Sequence, residues 1–182
     1  MGYAVRVTQA STDDRAPAPA RAGRRSRLAA IWVMAATVLV IDQATKALAV
    51  SHLGGGQVVP LVSGLLELRL VRNPGAAFSL GQSLTWVFTI LAVAVVVGVG
   101  WISRRVQTRA WALTLGLLLA GAAGNLADRL FRPPGFGRGH VVDFIDYAGQ
   151  FVGNVADIAI VGAMVLMVVG VIRGVGLDGS RR

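Results

Sequence analysis

Two aspartates, Asp143 and Asp157, stand fourteen residues apart in a chain that has only nine carboxylates in 182 residues. Five of the nine lie at or just outside the ends of long apolar stretches: Asp42, Asp128, Asp143, Asp146 and Asp157. A carboxylate at the centre of a bilayer costs roughly 2.5–3.5 kcal/mol, so acids close to membrane depth indicate a functional site. When two carboxyls crowd together, repulsion raises one pKa, and the pair can then supply one acid and one base. Such a pair can activate water, which predicts a hydrolase.

Two other ways of attacking a peptide bond have little support in the sequence. The chain has no Gly-x-Ser-x-Gly turn for a serine nucleophile and no His-Glu-x-x-His motif for zinc. Its single glutamate, Glu67, falls in a predicted strand, and His52 and His140 fall in predicted loops. There is no cysteine, which excludes a thiol nucleophile, a disulfide and a Cys-ligated metal. We therefore expect aspartate chemistry without a metal or another cofactor.

The elements that must position these acids are predicted to be membrane helices. Hydrophobic residues make up 54% of the chain, charged residues 15%, and mean hydropathy is +0.63. Four apolar stretches approach the roughly 20 residues that a spanning helix needs. They cover about 28–49, 84–102, 110–131 and 157–173. We expect an all-α membrane protein with one four-helix domain at 27–175, a disordered cytoplasmic tail at 1–26 and a short cytoplasmic tail at 176–182. Asp42 and Lys46 interrupt the first apolar run, which predicts an uncleaved helix rather than a signal peptide.

The net charge of +9 is unevenly distributed along the chain. Twelve of the 18 basic residues precede the first span, separate the second from the third, or follow the fourth. The positive-inside rule then places both termini in the cytoplasm and directs segments 51–83 and 132–156 outward. Topology and attraction to anionic membrane lipids account for the basic excess, so we expect no nucleic-acid partner.

A small β-element is predicted between the first two helices. Leu66, Leu68 and Leu70 alternate with other residues, which is typical of a half-buried strand. The segment at 58–59 can pair with that strand across a Ser-Gly turn at 63–64. We therefore expect an extracytoplasmic β-element at about 57–72.

Two similar motifs mark the boundary between the third and fourth spans. Gly-Asn-Leu-Ala-Asp at 124–128 closes the third span, and Gly-Asn-Val-Ala-Asp at 153–157 opens the fourth. Because one helix leaves the membrane where the other enters, both motifs should lie at the same depth. The third span also carries Gly116, Ala120 and Gly124 at four-residue spacing, which predicts close helix packing.

Five motifs, taken together and in order, carry a family resemblance across about residues 30–170. They are Asp42-Gln-Ala-Thr-Lys46, Asn73-Pro-Gly-Ala-Ala-Phe78, Gly121-Ala-Ala-Gly-Asn125-Leu-Ala-Asp128-Arg129, Gly139-His-Val-Val-Asp143-Phe144 and Asn154-Val-Ala-Asp157. With these motifs and spans, the chain resembles the bacterial lipoprotein signal peptidases, also called type II signal peptidases. Each motif is weak alone, but five in sequence make a specific match.

The resemblance implies a four-helix intramembrane aspartyl protease that uses no metal and has Asp143 and Asp157 as its catalytic dyad. It implies that the substrates are diacylglyceryl-modified prolipoproteins, cut just before the lipidated cysteine. It also implies that Asp42 and Lys46 hold the end of the first helix against the β-element. Residues implied to line the substrate groove or support the dyad are Asn73, Asn125, Asp128, Arg129 and Asn154.

Several alternatives accompany this prediction. Asp157 could be only a helix cap, and Asp143, expected in a loop, could be only solvated. Asp146 could replace Asp143, although the motif register favours Asp143. We expect Arg129 to pair with Asp128 or to contact a phosphate.

The chain also departs from the family in two places. Gly153 stands where the family usually has Phe, and the 147–152 loop is short, which predicts a small lid. A non-enzymatic ion- or proton-binding membrane protein is the alternative function, but acids grouped at one face favour the protease. We expect a monomer in the bacterial plasma membrane, with the active site near the outer face.

Overall fold

The computed structural model describes residues 19–75 and 85–181. It contains four α-helices: α1 (Pro19–Leu53), α2 (Thr85–Ile102), α3 (Arg109–Phe131) and α4 (Val155–Ile172). It also contains four strands: β1 (Val58–Val62), β2 (Leu66–Asn73), β3 (Val141–Tyr147) and β4 (Phe151–Gly153). Residues 1–18 of the predicted tail and residues 76–78 of the Asn73 motif lie outside the described residues, whereas 19–26 are helical.

Each of the four helices is long and apolar enough to cross a membrane. In α3, 56% of the most apolar 18-residue stretch is buried inside the protein, whereas the corresponding share is 17% in each of the other three helices. The third helix is therefore the centre of the bundle, and α1, α2 and α4 all pack against it. This arrangement confirms the prediction of four spans and a multi-pass membrane protein.

Small residues allow α3 to approach its neighbours closely. A Cβ atom on Gly116 would lie 3.1 Å from the Ile31 carbonyl oxygen of α1. A Cβ on Gly124 would lie 2.6 Å from the Asp42 carboxylate. Ala120 is buried between these positions. The predicted packing face is confirmed, since larger side chains would push α1 away from α3.

The strands form one antiparallel sheet in the order β1-β2-β3-β4. The predicted pairing of 58–59 with the Leu66 strand is confirmed, with Val59 opposite Leu68. The all-α class is wrong, because residues 141–153 add two further strands. Asp143 lies in β3 opposite Val71 of β2, so the expectation of a loop at this position is also wrong. The short 147–152 segment is a hairpin between β3 and β4, with Gly149 at a φ of 72°.

Apolar contacts hold the sheet against the last turns of α1. Ala49 and Leu53 of α1 pack with Val142 and Phe144 of β3 in one buried cluster. The sheet therefore sits where α1 and α3 end and α4 begins, which we call the sheet end of the bundle. This contact places Asp143 beside the end of α3 and the start of α4.

Candidate active site

Asn154 joins the two aspartates that the sequence singled out. Its side-chain Nδ2 donates to Asp143 Oδ1 over 2.7 Å, and its backbone N donates to Asp157 Oδ2 over 3.1 Å. The Asn154 Oδ1 accepts from the backbone N of Asp157 over 3.0 Å, which completes a capping box at the start of α4. Asn154 is therefore the N-cap of α4, and Asp157 takes part in the same capping box, in line with the simpler alternative; its carboxylate is also held beside that of Asp143.

Two further asparagines hold the remaining carboxylate oxygens. Asn73, at the end of β2, donates from Nδ2 to Asp143 Oδ2 over 2.8 Å. Asn125, near the end of α3, donates from Nδ2 to Asp157 Oδ1 over 2.9 Å. Asn154 is fully buried and also donates to Asn125 Oδ1 over 3.2 Å. Each carboxylate oxygen of the pair thus has one donor from the chain, and the two side chains are fixed in orientation.

Burial raises the pKa of the Asp143 carboxyl to about 6. The hydrogen bond from Asn73 favours the ionised form and opposes this effect, while the charge of Asp157 raises the pKa further. The hydrogen bond from Asn154 and the Lys46 ammonium also act to lower it. An aspartate with a pKa close to neutrality can exchange a proton with water or substrate at physiological pH.

Lys46 belongs to a fully buried charge network, which Asn125 links to the Asp143–Asp157 pair. Its Nζ is 2.8 Å from Asp42 Oδ2, 2.8 Å from Asp128 Oδ2 and 3.0 Å from Asn125 Oδ1. Asp42 Oδ1 accepts from the backbone N of Ala156, at the start of α4, over 2.9 Å. The polar contacts of Asp42 and Lys46 therefore join α1 to α3 and α4, and not to the β-element as the resemblance implied. These two residues lie on the same helix face and also pair directly, as their spacing predicts.

The pairing around Asp128 differs from the sequence prediction. Its Oδ1 accepts from Nε of Arg132 over 2.5 Å, and its Oδ2 accepts from the backbone N of Val142 over 3.2 Å. Arg132, which the sequence analysis missed, is four residues further along the helix and could have been found from that spacing. Asp128 therefore ties the end of α3 to β3.

Arg129 lies close to the carboxylate pair and to Asp128, without a direct ion pair to Asp128. Its guanidinium carbon lies 5.6 Å from the centre of the Phe88 ring, and the residue is 9% exposed. The charge interacts electrostatically with Asp143, Asp128 and Asp157, but Nη1 has no hydrogen-bond partner within the described residues. A buried donor without a partner is available for a ligand.

Asp146 does not join the pair. Its Oδ2 forms an ion pair with Nε of Arg69 at 2.6 Å, and its Oδ1 accepts from the backbone N of Gly149 over 2.8 Å. The carboxylate thus stabilises the β3–β4 hairpin. Across residues 19–75 and 85–181, no group of three or more His, Cys, Asp or Glu residues could hold a metal ion.

Comparisons with known proteins give the family. The family model described as "Signal peptidase (SPase) II" matches residues 34–173, which include every site residue discussed above. A "Lipoprotein signal peptidase" from Leifsonia xyli is 49% identical over 156 residues, covering 85% of this chain and 72% of that protein. One from Rhodococcus jostii is 46% identical over 170 residues, covering 93% and 86% of the two chains.

A solved structure supports the same fold. It is titled "Bacterial membrane enzyme structure by the in meso method at 1.9 A resolution" and superposes with a TM-score of 0.67 at 23% identity. The match covers 78% of this chain and 91% of the other. The family model and the relatives together show that the chain belongs to the signal peptidase II family.

Proposed function

We propose that the chain is an intramembrane aspartyl endopeptidase that removes the signal peptide from diacylglyceryl-modified prolipoproteins, just before the lipidated cysteine. The observation that carries this proposal is Asn154, which hydrogen-bonds to the carboxylates of both Asp143 and Asp157. Two carboxylates held by one buried residue, through its side chain and its backbone N, can share a proton across the space between them. Family membership supports the peptidase and not the ion-binding alternative.

The reaction uses one protonated and one ionised carboxyl. The ionised member accepts a proton from a water molecule, whose oxygen attacks the carbonyl carbon of the scissile peptide bond. The protonated member donates its proton to the carbonyl oxygen. When the resulting tetrahedral intermediate collapses, the C–N bond breaks and the leaving nitrogen takes up the proton held by the first carboxyl. The second carboxylate takes a proton from a hydroxyl of the intermediate as the new C=O forms, which restores the pair. The products are a signal peptide with a free carboxylate and a lipoprotein with a free amine on its lipidated cysteine.

The surrounding residues position the pair and the substrate. Asn73 and Asn125 each orient one carboxylate, and Asn154 orients both. Arg129 has an Nη1 without a hydrogen-bond partner among residues 19–75 and 85–181, and it donates to a carbonyl oxygen of the substrate backbone. Asp128 keeps α3 against β3, through the backbone of Val142. These roles make the site a preorganised set of donors around one water.

The site lies near the outer face of the membrane in this proposal, with both termini in the cytoplasm. The support is the basic excess in the segments on the side opposite the sheet end. Residues 27–175 form the peptidase domain, flanked by cytoplasmic tails, and the protein works as a monomer in contact with membrane lipids. No partner is a nucleic acid.

A cleavage assay tests the proposal. Purified protein in lipid nanodiscs is mixed with a diacylglyceryl-modified precursor, or with the same precursor unmodified, and the products are mapped by mass spectrometry. We expect one cut directly before the modified cysteine and none in the unmodified precursor. Equal cleavage of both precursors, or a cut elsewhere, would contradict the proposed specificity.

A further inference from the structure

An apolar pocket of about 450 Å³ opens beside Asp157 at the sheet end of α4. It is lined by Tyr147, Phe151, Asp157, Ile158, Val161 and Gly162. Apart from the Asp157 carboxylate and the Tyr147 hydroxyl, the lining side chains are hydrocarbon. The pocket therefore offers one reactive wall and an otherwise apolar interior.

Phe151 forms the wall between this pocket and the hairpin. Its ring stacks on Tyr147 with the ring centres 6.0 Å apart. A Cβ atom on Gly153 would lie 2.7 Å from the Phe151 ring and 3.1 Å from Asp157 Oδ2. The Phe151 ring thus fills the space that a side chain at position 153 would take beside the carboxylate. A side chain at position 153 would therefore require the Phe151 ring to move aside, and the Gly153 backbone is not in the left-handed region.

The open side of the pocket faces outward from the bundle. Ile158 and Val161 are 52% and 54% exposed, and a Cβ on Gly162 would meet nothing within 4 Å. These residues belong to a helix that is apolar enough to span the membrane. An occupant can therefore extend from beside Asp157 directly into the hydrocarbon of the bilayer.

We propose that this pocket binds one alkyl chain of the diacylglyceryl group on the substrate, and that Phe151 determines how well the chain fits. The inference rests on the proposed function, in which the lipidated cysteine adjoins the bond that Asp157 helps to cut. A peptide backbone in this hydrocarbon-lined pocket would leave N–H and C=O groups without partners, whereas an alkyl chain has none to satisfy. The chemistry of the lining thus selects the lipid over the signal peptide.

Two variants alter the pocket without touching the carboxylates. Phe151→Ala removes the wall, and Gly162→Leu places a side chain in the open space. Leu is also a better helix former than Gly, so loss of folding is not expected to explain an effect of Gly162→Leu. The matched controls are Phe136→Ala, at an 80% exposed phenylalanine, and Gly98→Leu, at another helical glycine whose Cβ would meet nothing within 4 Å.

The experiment measures kcat and KM for precursors that carry either two palmitoyl or two acetyl groups, the latter too short to fill the pocket. For the palmitoyl substrate we expect each pocket variant to raise KM about tenfold, the effect of losing contact with roughly two methylene groups. For the acetyl substrate we expect a much smaller rise, and for both controls none. A variant that only disturbed folding would lower the rate for both substrates equally.

Three results would overturn the inference. Unchanged KM values in both pocket variants, while the wild type cuts normally, would leave the proposed function intact and exclude the pocket. An equal shift for both chain lengths, or a shift that follows the signal-peptide residues and not the lipid, would also exclude it. Failure of the wild type to cut either lipidated precursor would refute the proposed function itself, and this inference with it.

Discussion

Replacing Lys46 by methionine should destabilise the protein strongly. The ammonium lies 2.8 Å from carboxylate oxygens of both Asp42 and Asp128, and all three side chains are fully buried. Methionine has a similar volume but no charge, so Asp42 would lose its ion-pair partner, while Asp128 would keep its ion pair with Arg132. Removing one member of a buried ion pair costs about 3–5 kcal/mol, because the remaining charge has lost its partner. For a chain of this size, that corresponds to a fall in Tm of roughly 6–20 °C.

Thermal unfolding in detergent measures this effect, with a charge-balanced variant as the internal test. Asp42→Asn in the Lys46→Met background removes the excess carboxylate and retains an Oδ1 acceptor for the Ala156 N–H. We therefore expect the double variant to regain more than half of the lost Tm. Arg138→Met, at an exposed arginine, controls for loss of a positive charge. The charge-network reasoning is refuted if Lys46→Met unfolds within about 2 °C of the wild type.

The same substitution should also slow cleavage at temperatures where the variant is folded. Lys46 donates to Asn125 Oδ1, and Asn125 in turn donates from Nδ2 to Asp157. Without the ammonium, Asn125 Oδ1 keeps only the longer hydrogen bond from Asn154 Nδ2, so the amide that orients Asp157 is held less firmly. Loss of one hydrogen bond to a charged group predicts a decrease in kcat of about tenfold or more, with little change in KM.

Three other substitutions probe the site from different sides. Burial raises the Asp143 pKa from 3.8 to about 6 in the folded protein, so the folded state binds this proton more tightly. Stability should therefore fall by about 3 kcal/mol as pH rises from about 4 to 7, and Asp143→Asn should flatten that part of a Tm–pH curve. Asn154→Ala removes the helix cap and the donor to Asp143, so we expect about 1–2 kcal/mol of destabilisation by chemical denaturation and at least a hundredfold loss of kcat. Gly139→Ala should destabilise by about 1–3 kcal/mol, since its Cβ would lie 2.7 Å from the Arg132 carbonyl oxygen, whereas Gly135→Ala meets nothing and should be neutral. Equal unfolding midpoints for Gly139→Ala and Gly135→Ala would show that the close approach at Gly139 is tolerated.

The helices and the first hairpin could be predicted because their patterns are strong. Apolar stretches near 20 residues have few alternatives to spanning helices, and the alternating leucines of β2 are typical of a half-buried strand, as the structure has it. Strand β3 lacks such a pattern, because its first four residues are all buried and both faces are covered. The sequence therefore predicts a loop at Asp143, where the structure has strand β3.

The partners of the site residues were harder to predict than the residues themselves. The motif order identified Asn154, but its contacts with both carboxylates depend on how β3 meets α4, which no local pattern encodes. Lys46 was expected to contact the β-element, yet its side chain points into the bundle toward Asp128. Long side chains at a helix end can reach in several directions, and only tertiary packing selects one.

The role of Asp143 and Asp157 as the catalytic pair is tested most directly by the cleavage rate of a lipidated precursor in three variants. Asp143→Asn and Asp157→Asn should each lower kcat by at least a thousandfold while the protein still folds in the membrane, since general acid–base catalysis typically contributes 10²–10⁴-fold. Asp146→Asn changes a buried aspartate three residues away, whose carboxylate pairs with Arg69, and should retain most of the activity. Rates within about tenfold of the wild type for Asp143→Asn or Asp157→Asn, or a larger loss for Asp146→Asn, would contradict the assignment.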